Sequence, residues 1–309
     1  MQLKLDGKRV LVTGGAGFIG SHTVDALVAA GAKVSIVDMV STGRRENLNS
    51  AATFYEMSLA DERIEEIMAE ERPEVIYHFA YFVKVPESLK NPMLDMDVLR
   101  GSVQMLQSAV AIGTRRVVFS SSGFLYGNTL ELPASEELAL DPITPYVVTK
   151  QALENYLEFY RKTYGMAYTV LRYAAIYGPR QVTGAMADYI RKLSGGEQAE
   201  IWGDGTKTRD YVYIDDVVEA NLKALDIPAD HPSPIFNIGT GHETTLNALY
   251  WKIAAILGVK PAPIYHPDRP GEQMRYCLDN TKARKQMGWG PKWMLDEGLR
   301  RTVEANRGQ

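Results

Sequence analysis

The 309-residue chain holds a single cysteine, Cys277, so no disulfide can form within it. Its five histidines are scattered without ligand spacing, and no metal site is expected. No apolar run reaches membrane-spanning length, and Met1 to Gly7 is short and polar, unlike a signal peptide. These absences make a reducing cytoplasm the expected setting and leave out a membrane partner. A net charge of −4 with mixed signs excludes a large basic surface for nucleic acid, while local arginines can still bind phosphate. Internal repeats and low-complexity segments are missing too, which excludes a solenoid or a disordered chain. What remains, 45% hydrophobic and 23% charged residues, is an ordinary globular composition, long enough for one large domain and a smaller one.

From Lys8 to about Ser122, short β-branched runs alternate with amphipathic stretches. Arg9 to Val12, Lys33 to Val37, Val75 to Phe79 and Arg116 to Ser120 read as strands, and Tyr168 to Arg172 adds another. Parallel strands need long crossovers, so the expected class is α/β with a doubly wound parallel sheet. Gly178, Pro179, Gly195, Gly196 and the stretch Pro228 to Pro234 then break the pattern. The reading is a sheet domain over residues 1–172 with a return near 210–240, and a smaller C-terminal lobe that makes up most of 173–309.

The first strand runs into VTGGAGFIGSH, which places Gly14, Gly15, Gly17 and Gly20 ahead of a helix. Glycines there let backbone N–H groups and a helix N-terminus approach a pyrophosphate. Taken alone, the motif suits a plain tight turn equally well. Its place between a strand and a helix, with a second strand ending at Asp38, makes it a Rossmann dinucleotide site in which Asp38 accepts from the adenosine ribose. A carboxylate repels a 2′-phosphate, so NAD is preferred to NADP, although Arg44 and Arg45 lie close by in sequence.

Thr144, Pro145 and Tyr146 read as a helix start, with Thr144 as N-cap, so that Tyr146 and Lys150 share one helical face. A phenol of ordinary pKa near ~10 is a poor base, and a neighbouring ammonium favours its phenolate. An isolated YxxxK more often belongs to a surface helix. Here the strand Arg116 to Ser120 also runs into Ser121 and Ser122, which brings a hydroxyl to the carboxyl edge of the sheet.

Together VTGGAGFIGSH, SSSGFLYG, YVVTK, YGPR and GDGTKTRDYVYIDDVV resemble the extended short-chain dehydrogenase/reductase family, particularly its nucleotide-sugar 4-epimerases of the UDP-glucose type. The resemblance covers nearly the whole chain. It implies that Ser122 hydrogen-bonds the sugar 4-hydroxyl, that Tyr146 removes its proton and that Lys150 binds the nicotinamide ribose. It also implies that NAD lies against Gly14, Gly17, Phe18, Ile19, Gly20, Asp38, Ser58, Leu59, Phe79, Ala80, Tyr146 and Lys150. Arg209 and Arg269 match family arginines that clamp the substrate diphosphate, a contact suited to planar guanidinium groups. Tyr276 matches a gate against bulky N-acetyl groups, and a UDP-sugar is the expected substrate.

Where family dehydratases and decarboxylases carry acidic groups, this chain has Gly123 and Phe124. The reading is therefore epimerisation through a 4-keto sugar, with a net dehydrogenase, reductase or dehydratase as the alternative and a non-catalytic NAD-binding protein behind it. Departures from the resemblance are Ala175 for a substrate-contacting asparagine, Ser58 for an aspartate near the adenine, and a bulky stretch Tyr81, Phe82 and Val83 after His78. The segment from Gln181 to Ile201 is shorter than in relatives, and Arg180 of YGPR has an open role. Cys277, His78 and the tryptophans Trp202, Trp251 and Trp289 are read as packing residues. A homodimer is implied through helices Met93 to Ile112 and Pro145 to Tyr164, whose Leu99, Val103, Leu106, Leu153, Leu157 and Tyr160 face either a partner or the sheet.

Overall fold

The computed structural model describes residues 4–81, 85–269 and 273–306; Phe82 and Val83 lie outside the described residues. Strands and helices alternate through β1 (Arg9–Thr13), α1 (Phe18–Ala29), β2 (Lys33–Asp38), β3 (Thr53–Glu56), α2 (Ile64–Glu71), β4 (Val75–His78), α3 (Val85–Lys90) and α4 (Met93–Ile112). They continue through β5 (Arg116–Ser122), α5 (Pro145–Tyr164) and β6 (Ala167–Tyr173). Then follow β7 (Ala175–Tyr177), α6 (Ala185–Ser194), β8 (Glu200–Trp202), β9 (Thr208–Arg209), β10 (Tyr211–Tyr213) and α7 (Ile214–Lys223). The last elements are β11 (Ile235–Ile238), β12 (Thr244–Thr245), α8 (Leu246–Leu257), β13 (Ile264–His266) and α9 (Leu295–Asn306).

Seven strands form one parallel sheet in the order β11-β6-β5-β4-β1-β2-β3. The central strands are apolar on both faces because helices cover both. Val10, Val12 and Val118 pack with Val24 and Leu27 of α1 and Val217 of α7. Leu11, Val117 and Phe119, one residue out of phase, pack with Met68 of α2, Met105 of α4 and Leu153 of α5. Two strands go beyond those read from the sequence: β3 is short and half-exposed, and β11 follows a proline-rich stretch. Three two-stranded pairs, β10 with β7, β12 with β9 and β13 with β8, lie outside the main sheet.

Strand order reverses between β1 and β4, which opens a crevice at their carboxyl ends. A hydrogen-bonded chain ties this crevice together. Ser102 donates to the Val98 carbonyl at 2.7 Å, so it accepts from His78 Nε2 at 2.8 Å. His78 Nδ1 then accepts from Thr13 Oγ1 at 2.7 Å, and Thr13 Oγ1 accepts from the Ala80 amide at 3.3 Å. The ends of β1 and β4 and the wall of α4 are thereby locked through one neutral imidazole.

Burial, helped by the Lys150 ammonium, brings the His78 pKa down to about 3 from its ordinary 6.5. The unfolded chain therefore binds the extra proton as pH drops below 6.5, and stability falls from there toward pH 3. Urea unfolding is expected to lose about 2 kcal/mol between pH 6.5 and 5 from this group, a loss missing from His78→Asn, which starts less stable at neutral pH.

Candidate active site

The loop after β1 approaches the loop after β4 closely. Gly14 has φ +75°, and a Cβ there would come within 2.7 Å of the Ala80 amide nitrogen. A Cβ on Gly20 would overlap the Gly14 carbonyl. The two glycines are thus required by contact, and they leave the N-terminus of α1 open toward the crevice. At the end of β2, Asp38 accepts from the Ala16 amide at 2.9 Å and the Val40 amide at 2.7 Å through different oxygens. Each oxygen keeps a lone pair for a ribose hydroxyl. Arg45 is drawn into an ion pair with Glu56, and neither Arg44 nor Arg45 lines the crevice.

A cavity of about 1000 Å³ runs from this cradle across the sheet edge. Gly14, Gly17, Phe18, Ile19, Gly20, Asp38, Ser58, Leu59, Phe79 and Ala80 line one end. Ser122, Tyr146 and Lys150 line its middle, and Trp202, Arg209 and Arg269 the far end. Met57 and Tyr81 also border it.

Helix α5 positions the middle group. Pro145 opens it, while Thr144 stands at the N-cap without making the side-chain hydrogen bond expected of it. The Tyr146 amide instead donates to Ser88 Oγ of α3 at 3.1 Å. Lys150, 2% exposed, donates from Nζ to the Ser120 carbonyl at 2.5 Å. One turn later, Glu154 accepts from Ser121 Oγ at 2.5 Å and from Arg172 of β6 at 3.1 and 2.6 Å. Arg172 continues to the Tyr126 hydroxyl at 2.9 Å, which donates to Asn237 of β11 at 2.8 Å. Ser122 Oγ accepts from the Phe124 amide at 3.2 Å and keeps its own hydrogen to donate.

Burial pushes the Tyr146 phenol well above its ordinary range; the Ser122 hydroxyl opposes that shift and the Asp95 carboxylate adds to it. Burial also brings Lys150 down to about 7, against the pull of Glu154. Burial thus drives two neighbouring titratable groups apart in pKa inside one cavity, the pattern that acid–base sites show.

Several residues stand elsewhere than expected. Tyr276 is buried behind the wall: it stacks on Phe124 at 4.8 Å and donates to the Tyr173 carbonyl at 2.5 Å. Phe124 is the ring that borders the cavity, because Gly123 has no side chain to displace Tyr276. Arg209 lines the cavity with part of its guanidinium on the Thr208 and Gln273 carbonyls. Arg269 lies over the Trp202 ring at 3.8 Å, so Trp202 is a cavity residue and not only a packing one. Its place directly before GDG was the available signal. Arg180 ion-pairs with Asp25 of α1 at 2.9 Å, outside the cavity lining. Trp289 is buried, whereas Trp251 is exposed on α8. Cys277 is buried, and burial lifts its thiol to about 12. Among the described residues no group of three or more His, Cys, Asp or Glu is arranged to hold a metal ion.

The model of the NAD dependent epimerase/dehydratase family matches residues 10–239. This chain belongs to that family. The UDP-glucose 4-epimerase of Mycolicibacterium smegmatis is 41% identical to it over 96% of this chain and 97% of that protein. Among solved structures, the UDP-glucose 4-epimerase of Thermotoga maritima with UDP-glucose is similar at TM-score 0.93 and 43% identity, covering 97% of this chain and 98% of that one. The UDP-glucose 4-epimerase of Thermus thermophilus in complex with NAD is similar at TM-score 0.91 and 36% identity, covering 97% and 99%.

Membership makes the protein an NAD-dependent enzyme, and the residues present fit that cofactor. The glycine cradle closes against any Cβ, a helix N-terminus faces it, and Asp38 is placed to accept. Gly20→Ala is expected to keep the far-ultraviolet circular dichroism of the fold while the purified protein loses its NAD, read from absorbance after acid release.

Proposed function

We propose that the protein is an NAD-dependent nucleotide-sugar 4-epimerase that interconverts UDP-glucose and UDP-galactose. The observation that carries this reading is a single acid–base group, Tyr146 with Ser122 and Lys150, midway between the cofactor cradle and an arginine-bearing end of the cavity. The residues after Ser122 are Gly123, Phe124, Leu125 and Tyr126, so no carboxylate follows it for proton chemistry beyond C4. Proteins named UDP-glucose 4-epimerase that resemble this chain over nearly its full length add support.

Residues 1–172, with a return near 210–240, bind the cofactor, and 173–309 mainly hold the substrate. Arg209 and Arg269 bind the diphosphate, and the Arg269–Trp202 stack offers a flat face at that end. Ser122 Oγ hydrogen-bonds the sugar 4-hydroxyl and directs its proton to Tyr146 Oη. Lys150 supplies positive charge that favours Tyr146 as the phenolate, the form able to take that proton. When bound, NAD supplies the hydride acceptor, and later the donor, that links the C4 alcohol to its ketone. Tyr146 Oη returns the proton to the C4 oxygen after the keto-sugar has turned its other face, so the cycle ends with no net redox change.

The reading includes a cytoplasmic homodimer. Leu106, Leu153, Leu157 and Tyr160, named for the seam, are buried against the core. Met96, Val148, Tyr156 and Phe159 of α4 and α5 are exposed instead and form the face offered to a partner. Phe159→Asp is expected to shift the protein to monomer in size-exclusion chromatography with light scattering.

The functional test uses freshly purified protein with no added NAD. UDP-glucose is expected to yield UDP-galactose, and the reverse, by chromatography. Turnover only with added cofactor, or a product lighter by one water, would replace the epimerase by a net dehydrogenase or a dehydratase. Tyr146→Phe is expected to lower the rate by about 10²–10⁴-fold while NAD stays bound.

A further inference from the structure

The loop after β4 carries an aromatic ring into the catalytic cluster. Tyr81 borders the cavity, and its ring centroid lies 3.9 Å from Lys150 Nζ. Phe119 at 4.9 Å and Tyr146 at 5.3 Å are farther from the same nitrogen. Tyr81 also meets Tyr146 edge to face, with centroids 5.6 Å apart at 84°. One side chain therefore touches both the ammonium and the phenol that the proposed reaction uses.

A buried ammonium has to recover what it loses on leaving water. The hydrogen bond from Lys150 Nζ runs to the Ser120 carbonyl. Glu154, the nearest carboxylate along α5, has its oxygens engaged by Ser121 and Arg172. The other titratable groups facing this cluster are Tyr146 of α5, His78 of β4, which is neutral, and Asp95 of α4, which acts on Tyr81 and Tyr146. Against that set, the face of an electron-rich ring at 3.9 Å is a strong source of stabilisation, because cation–π attraction grows as water is removed.

We propose that Tyr81 is a positioning residue whose ring face holds Lys150 in its charged form and in register with Tyr146. The ring, and not the hydroxyl, carries the effect. This rests on the reading of Lys150 as the charge partner of Tyr146.

The test reads Lys150 directly, without substrate. The NAD-retaining enzyme is labelled at lysine Cε with carbon-13, and the Lys150 signal is identified by its loss in Lys150→Met. Its titration midpoint is then compared across Tyr81→Phe, the same position carrying phenylalanine with one and then three ring fluorines, and Tyr81→Leu. The proposal expects Tyr81→Phe to leave the midpoint within a few tenths of a unit. Fluorination should lower it stepwise, and Tyr81→Leu should lower it by about one pH unit or more. A midpoint unmoved by fluorination overturns it, as does a drop in Tyr81→Phe as large as in Tyr81→Leu. If Tyr81→Leu does not fold, the fluorinated series decides alone, since it changes the ring's charge distribution and hardly its shape. A failed epimerase assay leaves these midpoints unaffected, so the two readings fail separately.

Discussion

The seating of α5 on the end of β5 is the contact on which the site depends. Three consecutive serines serve it in three ways. The Ser120 carbonyl takes the Lys150 ammonium, the Ser121 hydroxyl takes Glu154, and Ser122 is left to face the cavity. Tyr146, Lys150 and Glu154 follow one another at four-residue spacing and so lie on one helical face. A rotation of α5 that spoiled the Tyr146 position would have to break both buried polar contacts, and Arg172 would lose its counter-ion with them.

Around that seat the cavity is divided by chemistry. The cofactor end presents backbone at the glycines, where side chains cannot fit, with apolar side chains such as Phe18, Leu59 and Phe79 around it and one carboxylate at the end of β2. The far end is made of side chains from the later part of the chain, arginine and tryptophan. Between them lies a buried, aromatic middle in which burial pushes Tyr146 up and Lys150 down. Such displacement is useful to acid–base chemistry only when the partners are fixed, and the His78 chain fixes the opposite wall.

Much of this was legible in the residues. The glycine spacing, Asp38 after the second strand, the YxxxK pair and the serines ending the fifth strand each follow from local geometry, and the helices Met93–Ile112 and Pro145–Tyr164 have the ends read for them. Less legible were features whose cause is distant in sequence. Tyr276 lies behind Phe124 because Gly123 leaves it room, a relation spanning about 150 residues that no motif encodes. Trp202 reads as packing until Arg269 is laid over it. Tyr81 was visible as a bulky departure, but its contact with Lys150 was not.

By itself, then, the sequence determined the class of fold, the glycine loop ahead of the first helix and the placing of Tyr146 and Lys150 on one helical face, because periodicity, glycine stereochemistry and helical spacing act over a few residues at a time. Tertiary structure alone decided which wall each aromatic ring joins, which faces of α4 and α5 turn outward, and which arginines reach the cavity. It also decided how far burial displaces Tyr146 and Lys150. Those outcomes depend on desolvation and on contacts between segments far apart in the chain, and they exist only once the sheet and its helices have closed around the site.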